Sequence, residues 1–137
     1  MDYQIRRVEY FNTTVEDQPG TAHALLAELA KLGTNLLAFT AIPVGDERTQ
    51  FAVFPQDSAV LRKTAELAKL ELDGPHLALL IQGDDELGAL AGIHAKLFEA
   101  GVNVSASSGL SDGKGSFGYI VYLRPNEFEK AAETLGV

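Results

Sequence analysis

Asp17-Gln18-Pro19-Gly20, followed by Leu32-Gly33-Thr34-Asn35-Leu36, returns later in the chain as Asp85-Glu86-Leu87-Gly88 followed by Ala100-Gly101-Val102-Asn103-Val104. One gapless shift of 68 residues, the distance from Asp17 to Asp85, superposes the two stretches. The same shift pairs Ala27 with Ala95, Leu29 with Leu97, Ala38 with Ala106, Gly45 with Gly113, Val53 with Val121 and Leu67 with Leu135. Similar residues fill in between, among them Leu25 with Ile93, Phe51 with Tyr119, Val60 with Phe128 and Arg62 with Lys130. A register that matches glycines and apolar positions together marks an internal duplication, and a repeat decides the fold before any single element does.

Each copy reads alike. Runs 8–15 and 77–82 are β-rich, and each leads into an acidic, glycine-containing loop. Leu25, Leu26, Leu29 and Leu32 then recur at the helical period, as do Leu90, Ile93, Leu97 and Ala100. Asp17 and Asp85 precede those helices, where a carboxylate complements the dipole and can cap free N–H groups. Gly33 and Gly101 follow the last apolar position, the usual place for a left-handed helix stop. Two strands come next, 36–44 and 50–54 around Gly45-Asp46, then 104–110 and 117–123 around Asp112-Gly113, a strong hairpin signal. Second helices are expected over 58–70 and 126–135, with start signals at Asp57-Ser58 and Pro125-Asn126.

A fourth strand is expected at Leu70-Glu71-Leu72-Asp73, before Gly74-Pro75. The second copy ends without one, at Gly136-Val137, but Asp2-Tyr3-Gln4-Ile5 aligns with 70–73 under the same shift. The expected division is therefore a first unit over 8–75 and a second over 76–137, with 1–7 supplying the second unit's fourth strand. The fold class is α+β, two ferredoxin-like βαββαβ units in tandem, with antiparallel sheets and helices on one face.

Composition narrows the function. Of 137 residues, 46% are hydrophobic, enough for a real core, and the net charge is −8. An acidic surface repels phosphate backbones and anionic headgroups, which speaks against nucleic acid and membrane as partners. The absence of cysteine removes disulfides, thiolate zinc sites, iron–sulfur clusters and cysteine nucleophiles together. No apolar run follows Arg6-Arg7, so no signal peptide is read, and no stretch approaches the roughly 18 apolar residues of a membrane span. A cytoplasmic protein is expected.

The stretch 15–21, a helix and then 32–36 resembles the signature of ACT domains, regulatory modules that typically bind amino acids. The second copy matches as well, with Leu87 where the family commonly has proline. The resemblance covers nearly the whole chain in two copies, with no catalytic domain attached, and is to the stand-alone tandem ACT proteins. It implies a non-catalytic regulatory protein that takes a small effector, an amino acid, at an interface between ACT-like units. It also implies a homodimer, and neither cofactor nor metal. The positions it carries over as ligand-binding are Asp17, Gln18, Gly20, Asn35 and Leu36, with Asp85, Glu86, Gly88, Asn103 and Val104. A loop entering a helix points N–H groups outward at the positive end, a seat for a carboxylate, and Gly20 and Gly88 let a ligand approach the backbone. Structural roles stand beside these: an aspartate at a helix start is also a cap, the glycines are needed for the turn, and Asn35 and Asn103 suit a turn after a glycine stop. The alternative function is a structural or regulatory subunit that docks on a partner enzyme without a free ligand.

Other patterns carry less. Gly113-Lys114-Gly115-Ser116-Phe117-Gly118 fits the dinucleotide fingerprint but opens a strand, not the helix that must meet the pyrophosphate. His23, His76 and His94 have no metal-ligand spacing. Ser105, Ser107, Ser108 and Ser111 lie along a strand and its turn, without a nucleophile elbow. Asp84-Asp85-Glu86 reads as a solvated, dipole-stabilised turn. Ser105 and Ser107 stand where the first copy has Leu37 and Phe39, so two pseudo-equivalent sites need not be chemically equal.

Overall fold

A computed structural model describes residues 3–137. Its elements run β1 (Tyr3–Glu16), α1 (Thr21–Lys31), β2 (Leu36–Pro43), β3 (Arg48–Pro55), α2 (Ser58–Ala68), β4 (Asp73–Asp84), α3 (Ala89–Glu99), β5 (Ala106–Ser111), β6 (Ser116–Tyr122) and α4 (Pro125–Thr134). The class is α+β. The chain forms two compact units: one is Glu9–His76, and the other is Leu77–Val137 together with the opening residues of β1 through Val8. Of the expected N-terminal strand, residues 1 and 2 lie outside the described residues, and 3–7 are strand.

In the N-terminal unit the strands run in the order β2-β3-β1-β4. β3 pairs antiparallel with both β1, as in Phe11 opposite Val53, and β2, as in Ala41 opposite Phe51. Side chains alternate across each strand, so Phe11, Phe51 and Val53 share one face, where they meet Leu25 and Leu29 of α1 and Leu61 of α2. All six are at least nine-tenths buried, each contributing about 1.5–3 kcal/mol of transfer free energy. The C-terminal unit has the order β1-β4-β6-β5, with β6 antiparallel to β4 and β5. Its core joins Leu79, Ile81, Tyr119 and Val121 of the strands to Ile93, Leu97, Phe128 and Ala131 of the helices, and Tyr3 and Ile5 pack against it. Arg7 anchors the same strand: its guanidinium lies 2.8 Å from Glu129, donates to the Val137 carbonyl at 2.9 Å, and sits over the Phe128 ring.

Local bonds recur at the 68-residue shift. Gly33 and Gly101 sit at φ +80° and +72°, each closing a Schellman stop. In the first, Gly33 and Thr34 N–H donate to Ala30 and Leu29; in the second, Gly101 and Val102 donate to Phe98 and Leu97. Val44 N–H to the Arg48 carbonyl and Asp112 N–H to the Ser116 carbonyl close the two hairpins.

One pair differs. In the N-terminal unit the Thr34 and Thr64 hydroxyls, both buried, lie 2.8 Å apart, and Thr64 donates to the Val60 carbonyl at 2.9 Å. A hydroxyl has one proton, so Thr34 donates to Thr64. The C-terminal unit has Val102 and Ala132 at these positions, both buried in its core.

Two local readings are corrected. Leu70-Glu71-Leu72 is not a strand; the strand starts at Asp73 and continues through Gly74-Pro75. Leu70 and Leu72, in the segment that follows α2, instead pack against the N-terminal core, which places their alternate apolar side chains without a ladder. Asp17 and Asp85 cap nothing. The residues at the N-caps of α1 and α3 are Gly20 and Gly88, with no side-chain cap bond, whereas Asp57 does cap α2 through Ala59 and Val60 N–H. The reason is distance along the chain: each aspartate stands three residues before the left-handed glycine, and its own N–H is committed elsewhere.

Candidate functional site

The loops entering α1 and α3 share one construction. Asp17 N–H donates to the Glu47 carbonyl at 2.7 Å, and Asp85 N–H to the Gly115 carbonyl at 2.9 Å, so each loop is tied to its own unit's hairpin. Gly20 at φ +87° and Gly88 at +83° then turn the backbone into the helix. A Cβ at either position would meet nothing within 4 Å, so the glycines answer the backbone angle and the space before them is open. Thr21 and Ala89 N–H donate back to the Gln18 and Glu86 carbonyls, and with no side-chain cap the N–H groups of residues 22–23 and 90–91 are left uncapped.

Around these loops the units differ. In the C-terminal unit a groove of about 680 Å³ runs between the loop, the first turns of α3 and the edge strand. Asp85, Glu86 and Gly88 form one end; Leu90, Leu110, Phe117 and Tyr119 supply its walls. The Asp85 carboxylate accepts the Ser111 hydroxyl at 3.1 Å, which fixes its position over the groove. In the N-terminal unit, Asp17 and Gln18 line a smaller hollow of about 430 Å³ with Glu16, Asp46, Glu47 and Arg48 of the hairpin. Gln18 there donates to Glu16 at 2.8 Å.

Asn35, Leu36, Asn103 and Val104 are placed elsewhere. They follow the C-terminal ends of α1 and α3, and an 11-residue helix is about 16 Å long. The Asn35 carbonyl accepts from Gln56 N–H at 2.9 Å, and Asn103 N–H donates to Glu127 Oε2 at 2.9 Å. Leu36 and Val104 are half-buried against their cores. Within a unit, then, the structure groups the acidic loop with its glycine and hairpin, and holds the asparagines at the other end.

Residues missed in the sequence complete the groove. In the β5–β6 pairing Gly109 lies opposite Tyr119 and Ser111 opposite Phe117, on the core face. The first copy has Ala41 and Pro43 there, and Phe39 one pair further along, packed on Phe51 at 5.2 Å between ring centroids. The C-terminal unit has Ser107 for Phe39, and its edge strand β5 is exposed throughout. The Ser107 replacement was the one visible sign of this opening. His94 and Tyr119, which stand where the first copy has Leu26 and Phe51, meet at 2.6 Å from Nε2 to the phenol oxygen.

No protein-family model matches the chain, and no curated protein matches its sequence. Solved structures do match in shape. Protein BT0572 from Bacteroides thetaiotaomicron superposes with a TM-score of 0.80 at 18% identity, covering 96% of this chain and 88% of that one. The regulatory subunit of aspartate kinase from Thermus thermophilus, in a ligand-free form, gives 0.63 at 15%, covering 97% and 94%. Its counterpart from Thermus flavus gives 0.57 at 17%, covering 98% and 93%. The fold is ACT-like. At these identities the likeness speaks for the ACT-like fold alone. Among the described residues no group of three or more His, Cys, Asp or Glu could hold a metal ion, and no helix is long and apolar enough to cross a membrane.

Proposed function

We propose that this chain is a non-catalytic regulatory protein, two ferredoxin-like units of the ACT type in tandem, that binds a free amino acid at the loop entering a unit's first helix. The groove of the C-terminal unit carries the reading, because it sets three kinds of partner around one space. The effector's carboxylate faces the N–H groups of Leu90 and Ala91, left uncapped in the first turn of α3. Its ammonium group faces Asp85, and its side chain meets Leu90, Leu110 and Phe117. An ammonium on a carboxylate is a charge-assisted bond, while the apolar walls reward whatever side chain fits. The shape likeness to regulatory subunits of aspartate kinase supports a regulatory purpose. Binding would act on a partner through its differential affinity for two arrangements of the protein.

The test is a thermal-shift screen against the twenty amino acids at millimolar concentration. A ligand at 100 times its Kd adds about 2.7 kcal/mol, a shift of several degrees. One amino acid should give that shift, and Asp85→Ala should remove it. If none does, the effector reading fails and a docking subunit without a free ligand takes its place.

A further inference from the structure

The two loops share a backbone, yet the side chains behind them diverge as a set. Under the repeat, Leu26 becomes His94, Phe51 becomes Tyr119, Phe39 becomes Ser107 and Ala41 becomes Gly109. In the N-terminal unit Phe39 and Phe51 pack on each other and fill the space between edge strand and helix. In the C-terminal unit that space is the groove, and its inner wall carries Tyr119. Gly109 belongs to the same arrangement: a Cβ there would lie 2.9 Å from the Tyr119 ring, so glycine lets the ring lean over the edge strand. His94 meets the phenol at 2.6 Å, with the rings edge to face, and holds the hydroxyl in place. A phenol oxygen bonded once keeps capacity for another hydrogen bond.

We infer that the C-terminal groove is the one effector site of each chain. It takes an uncharged amino acid whose side chain ends in a hydroxyl or carboxamide, and Tyr119 reads that group while His94 acts as a positioning residue. This rests on the effector reading above. The charges agree: the ionised groups lining the groove are Asp85 and Glu86, at the loop end, where they take the ammonium group and repel an acidic side chain. The wall formed by Gly109, Phe117 and Tyr119 offers no carboxylate to a cationic one.

Isothermal titration of the full chain against matched pairs (serine and alanine, threonine and valine, glutamine and leucine) tests it. One ligand per chain is expected, with the polar member of the best pair bound about 3- to 10-fold more tightly, the range of one neutral hydrogen bond. Tyr119→Phe should bring that ratio to about one while the apolar member keeps its affinity. His94→Leu, which restores the first copy's residue, should do the same; a purely structural role would weaken both members alike and leave the ratio standing. Asp17→Ala should leave the stoichiometry unchanged. Two equal sites per chain, or a ratio unmoved by Tyr119→Phe, overturns this inference and leaves the effector reading intact. No binding of any amino acid overturns both.

Discussion

The threonine pair of the N-terminal unit offers a sharp test of how buried polar groups are accounted for. Thr34 donates to Thr64, and Thr64 donates to the Val60 carbonyl, in a site where both side chains are buried. Thr64→Val keeps the shape but leaves the Thr34 hydroxyl without an acceptor, at a cost of about 1–3 kcal/mol. Thr34→Val leaves Thr64 its bond to Val60 and removes only the accepted one, costing about 1 kcal/mol. The double variant leaves no hydroxyl unpaired and should cost less than about 1 kcal/mol, since replacing both partners by apolar groups of the same shape is nearly neutral. The C-terminal unit already uses an apolar solution at these positions, Val102 and Ala132. The coupling energy in a double-mutant cycle is thus about 1–3 kcal/mol. Urea titration at 25 °C reads it, provided the slope m is unchanged across the four proteins, so that midpoints report stability. Costs that simply add in the double variant would refute the reasoning.

Asp57→Ala should cost about 1 kcal/mol of unfolding free energy, because its carboxylate caps α2. Asp17→Ala should cost less than about 0.5 kcal/mol in the same titration, since that side chain caps nothing. The Asp112 carboxyl is held below its ordinary 3.8 by backbone N–H bonds from Lys114 and then Ser116, against a small opposing effect of burial. A lowered folded pKa means that its support of the hairpin is complete above 3.8 and is lost as pH falls through the lowered value. Carboxyl-carbon NMR should show a midpoint below 3.8, and Asp112→Asn should remove the movement of the Lys114 and Ser116 amide shifts that follows that midpoint; a midpoint at or above 3.8 would contradict it. Deleting residues 1–7 takes Tyr3, Ile5 and Arg7 from the C-terminal unit, so hydrogen exchange should quicken in 77–137 first; loss of protection confined to 9–76 would count against this.

The helices and hairpins were legible because their signals are local. Leucine spacing, Gly33 and Gly101 as stops, and Asp57 and Pro125 as starts all act within a few residues of where they stand. Strand limits were less legible: the expected N-terminal strand and the run from Val8 form one unbroken strand, Tyr3–Glu16, because partners far along the chain decide how long a strand stays paired. Leu70 and Leu72 alternate as a strand would, yet the same spacing serves two side chains packed behind a helix. At the site, the loop glycines could be found from the repeat, but Tyr119 could not. It reads as a core residue until the β5–β6 register sets Gly109 opposite it and opens a groove at its face.

The placement of residues 3–8 with a unit that otherwise begins at Leu77 has a consequence for synthesis. At about 5–20 residues per second, the ribosome needs roughly 3–15 s after this strand emerges before its neighbour β4 is made. During that interval Tyr3 and Ile5 have no core to enter, and the strand carries an unpaired edge into a crowded cell. Every residue of Glu9–His76, by contrast, has been made by the time Leu77 is added. Arg6 and Arg7, set between those apolar residues and the rest of β1, keep the waiting segment charged, a device that discourages strands from pairing with the wrong chain.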